Sequence, residues 1–116
     1  MLFRSQMAEA RNVLATFVFT DPVPETVSDR QFFQQLALVG VITRTEALSA
    51  VRTGAIPTAL QSFIDTLSDD TKFSTEMSLC GAVEYHRHHP ITLQLAQGLG
   101  WSDAQLDSLW LAASKL

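Results

Sequence analysis

Helix start signals constrain this chain more than any other feature of its sequence. In a capping box, a Ser or Thr side chain accepts a hydrogen bond from the backbone amide three residues later, and a Glu or Gln at that position reaches back to the first amide. This spacing occurs three times, at Ser28 and Gln31, Thr43 and Glu46, and Ser102 and Gln105. Apolar residues at helical spacing follow each pair, so the sequence predicts three helix starts and a mainly α fold.

Glycines, prolines and these caps divide the chain after residue 27 into about six short helices. Their predicted bounds are roughly 29–40, 44–52, 57–67, 69–89, 91–99 and 103–114. The third helix carries apolar residues at three- and four-residue steps, which predicts one continuous buried face. We therefore expect an irregular all-α bundle, preceded by an extended N-terminal arm or a single strand.

The fourth and longest predicted helix starts after Ser68 and ends before Pro90. Its apolar stripe is formed by Phe73, Met77, Cys80 and Glu84, widened by Leu79, Val83 and Tyr85. Helical periodicity predicts that this stripe faces the core and that Cys80 is a buried thiol.

Residues 1–26 are predicted to be an extended arm, and residues 27–116 a helical domain that folds on its own. Within the arm, the β-branched and aromatic run Val13–Thr20 favours a strand, whereas the helix formers of Met7–Phe19 favour a helix; both interpretations stay open. Residues 2–5 read Leu-Phe-Arg-Ser, which a common sequencing-adapter stretch encodes in frame. We accordingly treat residues 1–6 as a candidate sequencing artefact, outside fold reasoning.

The apolar side chains of the arm need a surface to cover them, because Pro22 and Pro24 separate them from the helical body. That surface is the body itself, the same arm of a second copy, or the sheet of a partner protein. Phe17, Val18 and Phe19 are therefore candidate partner-binding residues.

Composition excludes several classes of protein. At 116 residues the chain supports one hydrophobic core, and 47% hydrophobic against 17% charged residues argues against intrinsic disorder. The net charge of −4 repels nucleic-acid phosphates and anionic lipids. The longest apolar run of the chain, residues 36–42, falls short of the roughly 18 residues needed to cross a bilayer. We expect neither a nucleic acid nor a membrane as partner.

All three histidines lie together, at His86, His88 and His89. On a helix, metal-ligating pairs lie three or four residues apart, and only His86 and His89 satisfy that spacing. Cationic side chains also interact favourably with a helix C-terminus, which Pro90 predicts here. We expect a surface cluster that binds no stoichiometric metal.

Residues 95–109 reproduce the spacing of a helix-turn-helix. The second helix would offer Asp103 and Asp107 to DNA, and no basic residue follows before Lys115. Since carboxylates repel phosphates, we interpret the pair as ordinary helix packing. A small regulatory protein with this helix-turn-helix-like end remains the alternative hypothesis.

Trp101 and Trp110 are predicted to anchor the last helix to the core. A partly exposed Trp can also dominate a protein interface, which makes both of them candidate partner-binding residues. Known nucleophile motifs and phosphate-binding glycine loops do not occur in the sequence, so we expect neither an enzyme nor a cofactor.

Four stretches together resemble a family of small helical proteins encoded in bacteriophage and prophage genomes, often near tail and tail-fibre genes. The stretches are residues 27–36, 51–57, 88–90 and 100–107. They include the family's Ser/Thr-x-Arg-Gln helix start at Ser28–Gln31 and its Gly-x-Ser/Thr-x-x-Gln-Leu-Asp helix at Gly100–Asp107. The resemblance covers about residues 20–116 and carries no catalytic residues with it.

The resemblance implies a non-enzymatic phage tail-region protein, either a minor virion component or a tail or fibre assembly factor. Its implied partner is a phage tail or tail-fibre protein, with self-association as a further possibility. It would act in the bacterial cytoplasm during phage assembly, or in the virion.

Overall fold

A computed structural model of the protein describes residues 22–116, and within them the predicted mainly α bundle is confirmed. In chain order the elements are β1 (Thr26–Ser28), α1 (Asp29–Leu38), α2 (Arg44–Thr53), α3 (Thr58–Ile64), α4 (Asp69–Gly81), β2 (Glu84–His86), α5 (Pro90–Gly98) and α6 (Asp103–Ser114). The six helices surround one apolar core, to which the two short strands contribute Val27 and Tyr85.

All three predicted capping boxes are present, at the starts of α1, α2 and α6. At α1, the Gln31 amide donates to Ser28 Oγ at 3.0 Å, and the Ser28 amide donates to Gln31 Oε1 at 2.8 Å. These bonds satisfy amides that have no partner inside the helix. The sequence therefore predicts the beginnings of three helices correctly.

The core is centred on Trp110, whose side chain is fully buried on α6. Its ring packs against Phe32 of α1 with centroids 5.6 Å apart, and Phe32 in turn contacts Tyr85 of β2 at 4.8 Å. Burial raises the pKa of Tyr85, whose hydroxyl donates to the Leu79 carbonyl at 2.8 Å. An aromatic cluster thus joins the first helix, the last helix and the sheet.

Helix α3 packs with its predicted apolar face inward, since Leu60 and Ile64 are fully buried and Phe63 is partly buried. The Phe63 ring lies directly against the backbone of Gly98 on α5, where a Cβ atom would overlap it. Glycine is required at this point because the ring fills the space that a side chain would need.

The sequence prediction for the fourth helix is wrong at its C-terminal end. Helix α4 ends at Gly81, and Glu84–His86 form β2, which pairs antiparallel with β1 so that Val27 lies opposite Tyr85. Pro90 does not close this helix; it is the first residue of α5. A proline fits there because the first helical position needs no amide hydrogen.

The predicted inward stripe of α4 is wrong for Phe73, Met77 and Cys80 but correct for Leu79. Phe73, Met77 and Cys80 are exposed, and the buried side chains of the helix are Thr75 and Leu79. Periodicity identified an apolar face of this helix, but the core packs against a neighbouring face.

The predicted boundary between residues 26 and 27 falls inside β1. Before it, the Glu25 carbonyl accepts from the Arg87 amide at 2.7 Å and from Trp110 Nε1 at 3.1 Å. The body therefore includes Glu25 and Thr26. The alternative interpretations of Val13–Thr20 and Met7–Phe19, and the candidate residues Phe17, Val18 and Phe19, lie outside the described residues.

We predict that Ser28→Ala and Ser102→Ala each lower the free energy of unfolding by about 1 kcal/mol, because each leaves helix amides without their acceptor. Ser68→Ala is the matched control, since Ser68 stands at the start of α4 but its side chain accepts no capping hydrogen bond. Urea unfolding measures all three. Equal losses at the three positions would contradict this account of the caps.

Candidate interaction surface

Trp101 is placed on the surface by the way α5 ends. Gly100 adopts the left-handed conformation, with φ of +77°. The Gly100 amide donates to the Gln97 carbonyl at 3.1 Å, and the Trp101 amide donates to the Ala96 carbonyl at 2.9 Å. This is a Schellman motif, in which the residue after the glycine carries an apolar side chain back over the helix end.

Helix α1 ends in the same way. Gly40 has φ of +83°, and the Val41 amide donates to the Leu36 carbonyl at 3.0 Å. Val41 therefore occupies the position after Gly40 that Trp101 occupies after Gly100. The sequence carries this signal as Gly, then an apolar residue, shortly before a capping box, and it could have linked the two turns.

These two turns meet at a groove of about 590 Å³ between α1 and α6. We call it the α1–α6 groove; it is lined by Gln35, Val39, Val41, Trp101, Ala104, Gln105, Ser108, Leu109 and Ala112. None of these lining residues is charged, and Val39 is 54% exposed at its edge. The centre of a protein interface is typically depleted of charge in the same way.

A second groove, of about 600 Å³, lies on the other side of Trp101 between α5 and α6. Leu93 and Leu106 contribute apolar surface to it. Among the described residues that line this groove, Asp103 is the one with a charged side chain. Trp101 thus forms a partly buried ridge between two open grooves. Large aromatic side chains in such positions are the commonest anchors of protein–protein contacts.

The two predicted tryptophan candidates separate in the structure. Trp101 lies on the surface described above, whereas Trp110 is fully buried and its indole N–H is bonded to the Glu25 carbonyl. Trp110 is therefore a core residue and offers no surface to a partner.

Helices α5 and α6 follow one another as in a helix-turn-helix, but their charges do not suit DNA. The side chain of Asp103, in the first turn of α6, is 95% exposed. The nearby cation, Arg87, is buried, and its Nε donates to Asp107 Oδ1 at 2.8 Å. The surface at the start of α6 is consequently acidic, which disfavours contact with phosphates.

The three histidines make separate contacts and do not stand at a helix C-terminus as predicted. His86 lies 3.5 Å from Glu84, His88 Nδ1 lies 2.7 Å from Glu25 Oε1, and the His89 side chain accepts from the Ile91 amide at the start of α5. Among residues 22–116, His, Cys, Asp and Glu side chains form no group of three that could hold a metal ion.

Carboxylates with lowered pKa values have structural partners. The amides of Thr43 and Thr58 hold the pKa of Glu46 at about 2, and the carboxylate links the starts of α2 and α3. The contact with His88 lowers the pKa of Glu25. Each shift follows from hydrogen bonds that fix the chain, so neither needs a catalytic explanation.

Comparisons with known proteins give no further identification. A scan against protein-family models, a search of curated proteins and a search of solved structures each return no match to this chain. In the described part of the chain, the helices are too short or too polar to cross a membrane.

The placement of the two tryptophans predicts different accessibility to a quencher. Trp110→Phe leaves Trp101 as the single emitter, and Trp101→Phe leaves Trp110. We expect acrylamide to quench Trp101 several-fold more strongly than Trp110, because only Trp101 reaches solvent. Both variants should be quenched equally in urea; equal quenching in the folded state would contradict the assignment.

Proposed function

We propose that the protein is a non-enzymatic phage tail-region protein that binds a tail or tail-fibre protein through the surface around Trp101. The observation that carries the proposal is the position of Trp101, a partly buried aromatic ridge between two grooves. The protein acts as a minor virion component or as an assembly factor, in the host cytoplasm during assembly or in the virion.

The chemistry of this surface suits an apolar protein partner. The α1–α6 groove offers the exposed Val39 and the half-buried Val41 beside the Trp101 ring. The side-chain oxygen of Gln105 accepts from the Ser102 amide, which leaves the exposed Gln105 side-chain NH2 group for a partner. Apolar side chains of the partner would fill the groove, and the Gln105 NH2 group would donate to a polar group of the partner. An aliphatic or aromatic side chain of a tail protein is the expected occupant.

The tail setting is supported by the four stretches that resemble phage and prophage proteins. In the fold, they contain the α1 capping box, the left-handed end of α2 at Gly54, the start of α5 and the Gly100–Asp107 turn with its helix. The last stretch includes Trp101, so one of the stretches that carry the resemblance also contains the central residue of the proposed surface. The acidic start of α6 disfavours the helix-turn-helix alternative, which is supported only by the succession of α5 and α6.

A pairwise binding experiment tests the proposal. The purified protein is titrated with purified phage tail and tail-fibre proteins, one at a time, and binding is measured by isothermal titration calorimetry. We expect one of them to bind, and Val39→Asp to weaken that binding at least tenfold by placing a charge in the apolar groove.

Leu48→Asp is the matched control. Leu48 on α2 is 53% exposed, nearly the same fraction as the 54% of Val39, and it does not line either groove. It should leave the affinity unchanged. Equal effects of the two substitutions would reject the Trp101 surface, and the absence of binding to any tail-region product would reject the tail assignment. Mass spectrometry of purified particles then separates virion component from assembly factor.

A further inference from the structure

Helix α4 exposes apolar side chains that a 13-residue helix on a small domain normally buries. Phe73 is 65% exposed and Met77 is 59% exposed. They lie four residues apart, so they are neighbours on one face of the helix. The core takes up only Thr75 and Leu79 of α4, and this second face has no partner among the described residues.

A groove of about 450 Å³ continues this face toward α5. Met77 forms one wall, Ile91 and Thr92 of α5 form the opposite wall, and Tyr85 of β2 lies between them. His86 and His89 line its end. We call Phe73, Met77 and this groove together the α4 face; it is distinct from the two grooves beside Trp101.

The chain before Pro22 supplies apolar residues that the described core does not use. Val13, Leu14, Phe17, Val18 and Phe19 lie in that stretch. Between residues 7 and 20 its charged side chains are Glu9 and Arg11, which cancel. Burying the apolar side chains of such a segment against an apolar face is more favourable than leaving them in water.

The described chain also passes the end of this groove, because Thr26 pairs with His86, which lines it. Glu25 is held by His88, whose amide donates to Glu25 Oε2 at 3.1 Å, and His88 stands between His86 and His89 at the end of the groove. Phe19 precedes Glu25 by six residues, which span up to about 20 Å when extended. This length brings the segment within reach of the groove end at His86.

We propose that residues 13–19 pack onto the α4 face of their own chain. The short tether favours this occupant over a second copy, because a link of a few residues holds a segment at an effective concentration in the millimolar range. Phe17, Val18 and Phe19 then cover Met77 and the groove, and the Trp101 surface stays accessible to a partner protein.

Oxidation of Met77 by hydrogen peroxide tests the proposal on the purified full chain. Peroxide converts an accessible methionine to its sulfoxide, which peptide mass spectrometry quantifies. We expect Met77 to oxidise at least fivefold more slowly in the full chain than in the double variant Phe17→Ser, Phe19→Ser. Thr16→Ser with Thr20→Ser is the matched control and should keep the protection.

Equal oxidation rates in the full chain and the Phe17, Phe19 variant would overturn the proposal. Protection that disappears on hundredfold dilution would also overturn it, since it would identify a second copy as the occupant.

If the double variant unfolds, a chain with Phe17→Cys, Met77→Cys and Cys80→Ser decides the question. Mild oxidation should join its two thiols within one chain, and Ser5→Cys in place of Phe17→Cys should not; failure to join them rejects the proposal. No partner is present in either test, so the outcome is independent of the proposed function.

Discussion

The backbone carbonyl of Glu25 is the point on which the arrangement of this fold depends. It accepts the Arg87 amide at 2.7 Å and the indole N–H of Trp110 at 3.1 Å, joining three segments that are far apart in sequence. Burying Trp110 provides a large apolar contribution, but its N–H needs a partner there, and Glu25 supplies it. The same contact aligns β1 with β2 and holds the Arg87 backbone, so that the Arg87 side chain reaches Asp107 on α6.

The candidate interaction surface follows from the same framework. With α6 fixed against α1 through Trp110 and Phe32, the two Schellman turns after α1 and α5 bring Val41 and Trp101 to one groove. Trp110 and Trp101 therefore have complementary roles. Packing of Trp110 fixes the position of α6, and Trp101 forms the aromatic ridge on the surface beside it.

Local signals in the sequence were sufficient for much of the fold. Capping boxes depend on residues three apart, so the starts of α1, α2 and α6 could be predicted, as could the buried face of α3. The end of α4 could not, because β2 exists through its pairing with β1, about 60 residues earlier, and three-residue strands carry almost no local pattern. Pro90 was ambiguous for a physical reason: a proline is compatible both with the end of one helix and with the first turn of the next. For the site, the residue type of Trp101 indicated an anchor, but the grooves beside it arise from tertiary packing.

The role of Glu25 is tested most directly by comparing two truncated chains, residues 22–116 and residues 27–116, in urea unfolding. A truncation is needed because no side-chain substitution removes a backbone carbonyl. The account predicts cooperative unfolding for the longer chain. It predicts a loss of at least about 2 kcal/mol in the shorter one, since the Trp110 indole and the Arg87 amide both lose their acceptor. Coincident unfolding curves for the two chains would contradict it.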